Sequence, residues 1–353
     1  MDKVRFGICG LGCMGRSHFH RLRQNPRAEI RAVCDLDPAR RAGDWNDALG
    51  NMDLVATGGA TVSMEGINAY ESAEQLVADP DVDAVLITLP TPWHAPVAVA
   101  ALQADKHVLT EKPMATKPGE CNRMIAAALK ARRTLMVGQC LRFWPQYETI
   151  KNYVDSGRIG SVRFAVLRRL GSPPTYSSNN WLLDGHQSGG AALDLHVHDI
   201  DFAQVLFGVP DRLYAVGTPG PSGGYDHIVA NYAYADGRYA LIEGGWALTS
   251  VYPFEMAITV HGSEGTLEWS MSRGNDVQLY KAGQPVESLP CEGDALRREQ
   301  DYFIDCILSG QPVTRCTPES CRTSIALAWL ERRSAELGRE VQLSPRLRSA
   351  WGV

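Results

Sequence analysis

The sequence predicts an α/β chain: a doubly wound parallel sheet at the N-terminus, then an α+β unit with a mostly antiparallel sheet. Three observations predict this. Short apolar runs alternate with helical stretches through residues 1–138, the spacing of parallel strands joined by helical crossovers. Beyond that point the strands lengthen and follow one another with a hairpin signal between them. The length, 353 residues with 44% hydrophobic and 21% charged, suits about two globular cores. The boundary is placed at Gly138, giving units 1–138 and 139–353.

In the first unit, Val4 to Cys9 is an apolar run closed by Gly10, and a helix is predicted from there to about Asn25. Ile30 to Cys34 is the next strand, and Pro38 opens a short helix. Asn46 to Glu65 is polar, contains glycines and carries no clear periodicity. Ala84 to Leu89 reads as a strand buried on both faces, followed by a helix from about Pro96 to Ala104. His107 to Thr110 is a strand, Pro118 to Ala131 an alanine-rich helix, and Thr134 to Val137 the closing strand.

In the second unit, a helix over Gln146 to Ser156 stops at Gly157. Val162 to Leu170 is a long strand, and a loop rich in Pro, Ser, Asn and Gly runs to Gly190. One continuous helix is expected from Ala191 to Phe207, ending at Gly208. Strands follow at Leu213 to Val216, Ile228 to Tyr234, Tyr239 to Ala247, Glu255 to His261 and Thr266 to Ser270, with Asp236-Gly237 as a hairpin turn. Helices at Ala295 to Ser309 and Pro318 to Leu337 finish the pattern, the second capped by Thr317. Helices are expected on one face of this sheet.

Composition narrows the function. Lys+Arg of 35 against Asp+Glu of 40 gives a net charge of −5, with no pull toward nucleic acid or anionic membrane. Two uncharged stretches, Phe6 to Gly15 and Ala84 to Ala104, are broken by glycines or prolines and read neither as a signal peptide nor as a membrane span. Nine cysteines without a C-x-x-C pair read as reduced thiols, hence a cytoplasmic protein. A small-molecule partner is the expectation.

Gly10-Leu11-Gly12-Cys13-Met14-Gly15 is G-x-G-x-x-G between a strand and a helix. The first glycine permits the turn, the second lets backbone approach a diphosphate, and the third lets helix pack on strand. Gly10, Gly12, Cys13, Met14 and Gly15 are therefore candidate cofactor contacts. Asp35 stands twenty residues past Gly15 at the end of the second strand, where a carboxylate accepts from a ribose diol. It favours NAD over NADP, because it repels a 2′-phosphate; Arg40 and Arg41 keep NADP as the alternative, though both read first as a solvated helix face. His18 and His20 read as packing or surface residues on the helix.

Glu111-Lys112-Pro113 follows the His107 to Thr110 strand, at the carboxyl edge where open α/β sheets bind ligands. Gly189-Gly190-Ala191-Ala192-Leu193-Asp194 and His198 stand downstream. Together these motifs resemble the glucose–fructose oxidoreductase/inositol dehydrogenase/rhizopine-catabolism (Gfo/Idh/MocA) family over nearly the whole chain. The resemblance implies a Rossmann nucleotide domain, then an α/β substrate-binding domain with an open sheet that self-association covers, giving a homodimer or homotetramer. It implies oxidation or reduction of sugars and cyclitols with a nicotinamide. Lys112 matches the lysine that touches nicotinamide and substrate hydroxyl, Asp194 the substrate-binding carboxylate and His198 the acid/base. Where the family often has glycine two residues after the aspartate, this chain has His196.

The chemistry suits those residue types. Oxidising an alcohol needs a base for the hydroxyl proton, and imidazole is the side chain poised for it near neutral pH. An ammonium stabilises the developing charge on oxygen, and Glu111 is placed to fix Lys112 as an ion pair. Asp194 and His198, four apart, share one face if the helix is continuous, with Asp201 near the same stripe. His196 and His198, two apart, then diverge too far to hold one metal ion, so none is expected. Thr91, Trp93 and His94 follow the Ala84 to Leu89 strand and are placed near the nicotinamide together with Glu111. Arg142 with Trp144, Arg168, Arg169, Trp181 and Tyr252 flank loops of the second unit and are candidate substrate contacts, although packing explains each as well.

The reading is an NAD-dependent dehydrogenase of a polyhydroxylated ring. Two rivals keep the same fold. One is a glycosidase that oxidises transiently, eliminates and recycles its NAD, as some relatives of the family do. The other is a cofactor-sensing binding protein, disfavoured because Lys112, Asp194 and His198 are all present.

Overall fold

The computed structural model describes residues 2–46 and 60–351. Most of the polar Asn46 to Glu65 segment, residues 47–59, therefore lies outside the described residues. The chain divides into two compact units. The first comprises Met1–Gly138, Pro174–Trp181 and Leu296–Arg322, and the second Gln139–Pro173, Leu182–Ala295 and Thr323–Val353. A single cut at Gly138 misses the two returns of the chain to the first unit.

The first unit holds a six-stranded parallel sheet of β1 (Val4–Cys9), β2 (Ala28–Cys34), β3 (Asn68–Tyr70), β4 (Ala84–Ile87), β5 (His107–Glu111) and β6 (Leu135–Gly138). Their order is β3-β2-β1-β4-β5-β6, every pair parallel. The order reverses at β1, which places a ligand crevice at the carboxyl ends of β1 and β4. The uniform apolar run of β4 follows from burial of all four residues. Crossovers are carried by α1 (Cys13–Arg23), α2 (His94–Gln103) and α3 (Pro118–Ala131). Pro118 sits in the first turn of α3, where its missing N–H costs nothing.

In the second unit α4 (Pro145–Asp155) stops before Gly157, whose φ of +69° suits glycine beyond a helix end. Nine strands form one sheet: β7 (Val162–Leu170), β8 (Arg212–Pro219), β9 (Tyr225–Ala233), β10 (Tyr239–Gly245), β11 (Glu255–Gly262), β12 (Thr266–Ser270), β13 (Val277–Tyr280), β14 (Glu287–Leu289) and β15 (Val341–Gln342). The order is β14-β13-β12-β11-β7-β10-β9-β8-β15. Only β7 and β10 pair in parallel; the rest are antiparallel. The strands β13, β14 and β15 were not legible in the sequence. Burial alternates along β9 and β11, so one face is packed and the other is not. Gly237, with φ of +87°, turns the β9–β10 hairpin.

The helix expected over Ala191 to Phe207 is two, Ala191–Asp194 and α5 (Val197–Phe207). The His196 N–H donates to the Ala191 carbonyl at 2.9 Å, a five-residue step that widens the turn. α6 (Ala295–Ser309) and α7 (Pro318–Leu337) end the helical pattern. Thr317 caps α7 by accepting from the Ser320 N–H at 3.3 Å. No helix among the described residues is long and apolar enough to cross a membrane.

Candidate active site

The glycine turn has a geometry that could admit a diphosphate. Gly10 has φ of +95°, and a Cβ on Gly15 would stand 1.9 Å from the Gly10 carbonyl oxygen, so both positions demand glycine. A Cβ on Gly12 would meet nothing within 4 Å, which leaves room for a ligand to approach the backbone. Gly12 is also the N-cap of α1 and offers no side-chain cap, so the helix terminus presents its N–H groups to an anion. Burial, then the Glu111 charge, pushes the Cys13 thiol up to about 11, so no thiolate competes with phosphate there. Met14 stands between Cys13 and Gly15 in the first turn of α1.

Asp35 is anchored beside this turn. Its Oδ2 accepts from the Leu11 N–H at 2.7 Å and its Oδ1 from the Asp37 N–H at 2.9 Å. Arg41 donates to the carbonyls of Asp35 and Leu36 and to Glu71, and Arg40 to Ser178 Oγ at 2.9 Å. These contacts fit a ribose diol on Asp35, the fit expected of a dinucleotide site.

Past β4, the Thr91 hydroxyl is buried without a hydrogen-bond partner among the described residues, while Trp93 is 57% exposed. His94 departs from its expected cofactor contact. Its ring is buried, with Nδ1 2.8 Å from the Pro113 carbonyl and Nε2 2.7 Å from the Leu89 carbonyl. Both nitrogens are thus spent on main chain, bracing the loop after β4 against Glu111-Lys112-Pro113. Burial pulls its pKa below the ordinary histidine value, although both carbonyls favour the charged ring.

Glu111 closes β5 in a buried position. Its Oε1 lies 2.8 Å from His18 Nε2, and its Oε2 accepts from the main-chain N–H of Lys112 at 3.0 Å. Glu111 therefore holds the Lys112 backbone. Burial opposes its charge, yet the hydrogen bond from His18 and the positive charge of Lys112 leave its pKa lowered. Gln300 Nε2 approaches His18 Nδ1 at 2.7 Å, and Glu299 is buried in the same cluster. Sequence reading missed these roles. His18 looked like a packing residue, and nothing local marks Glu299 or Gln300.

In the second unit Asp194 ends the short helix and His198 lies in the first turn of α5, each 8% exposed. The break between them removes the premise that a continuous helix puts both on one face and sends His196 and His198 apart. His196 is buried, with Nε2 2.9 Å from Glu331 Oε2, while the Tyr232 hydroxyl donates to Glu331 Oε1 at 2.6 Å. A Cβ on Gly244 would fall 2.4 Å from His196 Nδ1, so glycine there makes room for the ring.

The structure revises the two arginines expected to touch substrate. Arg169 is buried, with Nε 2.7 Å from Asp199 Oδ2 and its other nitrogens on Met256 and Tyr147. Arg142 pairs with Asp201 through bonds of 2.8 and 2.7 Å, and Ser324 also donates to Asp201. Asp199 and Asp201 follow His198 on α5, so these pairs fasten the helix that carries it. Arg168 pairs instead with Glu243 at 3.2 Å. Tyr252 is half-buried in a turn closed by its N–H on the Thr249 carbonyl. Trp181, also half-buried, ends the Pro174–Trp181 segment of the first unit. Lys112 belongs to the first unit, and Asp194 and His198 to the second.

Residues 4–139 match the model of an oxidoreductase family with an NAD-binding Rossmann fold, and residues 147–268 that of the GFO/IDH/MocA C-terminal domain. A myo-inositol 2-dehydrogenase of Thermotoga maritima is 28% identical over 96% of this chain and 98% of its own. An uncharacterized oxidoreductase of Rhizobium meliloti is 30% identical over 73% of this chain and 70% of its own. In fold the chain is similar to a levoglucosan dehydrogenase solved with NADH and L-sorbose, with a TM-score of 0.82 and 21% identity over 97% of this chain and 99% of that one. The chain belongs to the GFO/IDH/MocA family of NAD-binding oxidoreductases.

Proposed function

We propose that this oxidoreductase is an NAD-dependent dehydrogenase of a ring hydroxyl on a sugar, cyclitol or glycoside. The observation that carries the reading is Lys112. It stands at the carboxyl edge of the nucleotide-binding sheet, its main chain tied to Glu111, in a chain that aligns end to end with a myo-inositol 2-dehydrogenase. The anchored Asp35 supports NAD over NADP, since a carboxylate there repels a 2′-phosphate. Gly10, Gly12, Cys13, Met14, Gly15, Thr91 and Trp93 are proposed to line the cofactor. A nicotinamide held there would supply the hydride acceptor, or donor in the reverse direction, for the carbinol carbon.

The chain's own residues do the rest. The Lys112 ammonium donates to the substrate hydroxyl oxygen and stabilises the charge that builds there. His198 takes the hydroxyl proton as the C–H pair leaves as hydride, so the carbinol becomes a carbonyl and the imidazole an imidazolium. Asp194 accepts from a neighbouring substrate hydroxyl and stabilises that imidazolium. Trp181 and Tyr252 offer aromatic faces for the ring. The unpacked face of the nine-stranded sheet carries Tyr214, Val216, Tyr239 and Tyr280 in exposed positions, which supports a homodimer or homotetramer formed through it. None of the nine cysteines is bridged, in keeping with the cytoplasm.

The test combines a variant with a substrate panel. Lys112→Met is expected to abolish turnover while NAD affinity stays within about threefold. Near-normal turnover in that variant refutes the assignment. Incubation with NAD and a panel of free sugars, cyclitols and aryl glycosides reads NADH absorbance and aglycone release together. NADH formed from a free sugar or cyclitol is the expected result. Aglycone release without net NADH identifies an NAD-recycling glycosidase instead, and tight NAD binding with an inert panel identifies a sensor.

A further inference from the structure

Behind Lys112 lies a buried polar cluster that the hydride-transfer chemistry does not itself require. It joins His18 of α1, Glu111 of β5, and Glu299 and Gln300 of α6, all within the first unit. The directions of its hydrogen bonds locate its protons. Gln300 Nε2 lies 3.2 Å from the His18 carbonyl oxygen and 2.7 Å from His18 Nδ1. A carbonyl oxygen only accepts, so the group facing it is the amide nitrogen. That nitrogen then donates to Nδ1 as well, which must present a lone pair. The ring proton therefore sits on Nε2 and points at Glu111 Oε1, 2.8 Å away. Glu111 Oε2 in turn accepts from the Lys112 N–H at 3.0 Å.

We propose that Gln300 and His18 form a hydrogen-bond relay that fixes the Glu111 carboxylate and, through it, the main chain of Lys112. Both are positioning residues for hydride transfer, and the inference rests on the catalytic reading of Lys112 given above. Glu299 completes the cluster. One of its carboxylate oxygens lies within 4.8 Å of a ring nitrogen of His18 and a carboxylate oxygen of Glu111, and neither of its oxygens has a partner among the described residues. Two buried carboxylates this close do not both ionise. Burial, then the Glu111 charge, pushes the Glu299 carboxyl well above its usual range. The cluster thus holds one negative charge, on Glu111, and one carboxylic acid, on Glu299. His18, Glu111 and Glu299 are also a donor set that a divalent cation takes. The relay removes His18 from such a set, because the nitrogen facing Glu111 already carries the proton.

Two readouts test this on the NAD-bound protein. Two-bond ¹H–¹⁵N spectra, with the His18 signals assigned by their absence in His18→Gln, are expected to show a neutral ring protonated on Nε2. Gln300→Leu is expected to release it into a mixture of tautomers. In kinetics, His18→Leu is expected to lower kcat about 10–100-fold while the KM for NAD moves less than about threefold. His18→Gln keeps a donor toward Glu111 and recovers most of that loss. Glu299→Gln, isosteric with a neutral acid, keeps kcat within about threefold. Lys112→Met is measured alongside. If it loses turnover while His18→Leu does not, the relay is wrong and the lysine reading stands. If it retains turnover, the lysine reading falls, and the His18 spectra still decide the relay. A proton on Nδ1, or stoichiometric Zn²⁺ binding by the wild type that Glu299→Gln abolishes, overturns the proposal.

Discussion

Replacing Arg169 with methionine puts the frame around His198 under direct test. Asp199, the residue after His198, is fully buried, and among the described residues its carboxylate accepts side-chain hydrogen bonds from Arg169 alone, at 2.7 and 3.5 Å. Methionine fills much of the arginine's volume but removes both bonds and the compensating charge. At an effective dielectric of about 20, opposite charges about 4 Å apart attract by about 4 kcal/mol, and stranding one partner of a buried pair costs about 3–5 kcal/mol. Arg169→Met and Asp199→Asn are each expected to lose about that much stability in urea unfolding followed by circular dichroism. The double variant leaves no stranded charge, so it is expected to lose about 3 kcal/mol less than the sum of the singles. Singles that each cost under about 1 kcal/mol, or a double equal to their sum within about 0.5 kcal/mol, refute the argument that this pair fastens α5.

Three further predictions concern positions away from that pair. Burial, then the Arg133 charge, lowers His107 to about 4, and its Nδ1 accepts from the Thr134 N–H at 3.1 Å. The unfolded ring takes its proton near pH ~6.5, so this contribution is present above pH ~6.5 and is lost as pH falls toward about 4. The full shift converts to about 3 kcal/mol, and partial exposure reduces it to about 2; His107→Asn, which keeps an acceptor, is expected to flatten the stability profile between pH 7 and pH 5. Gly15→Ala drives a methyl into the Gly10 carbonyl, and calorimetry is expected to show NAD affinity weakened at least about tenfold, with unchanged affinity counting against the turn. Gly244→Ala is expected to displace His196 and lower stability by about 1–3 kcal/mol, an effect that thermal unfolding will register or deny.

Much of the fold was legible because its signals are local. Val4–Cys9, Val162–Leu170, Pro118–Ala131 and Pro318–Leu337 have the bounds that their periodicity and flanking Gly, Pro or Thr suggest. The strands that escaped notice, β3, β13, β14 and β15, are short and lie at or toward the edges of their sheets, where little burial shapes their sequence. The break at Leu195–His196 escaped for another reason. Its residues suit a helix, and the wide turn places His196 beside Glu331, 135 positions onward, which no local window contains.

The candidate site divides along the same line. Gly10, Gly12, Gly15, Asp35 and Glu111-Lys112 stand out in the chain as candidates, because glycines in a strand–helix turn and a charged residue at a strand's carboxyl end have meaning within a short window. What those side chains bond to could not. His94 turned from cofactor contact to backbone brace, and Arg142 and Arg169 from substrate contacts to buried ion pairs, since a sequence shows a charge but not its partner. His18 meets Glu111 across 93 residues and Gln300 across 282. The sequence by itself determined the order of the elements and the chemistry available at their ends; only the tertiary structure decided which charges are buried, which are paired and where a proton sits, because those depend on groups that folding brings together from distant parts of the chain.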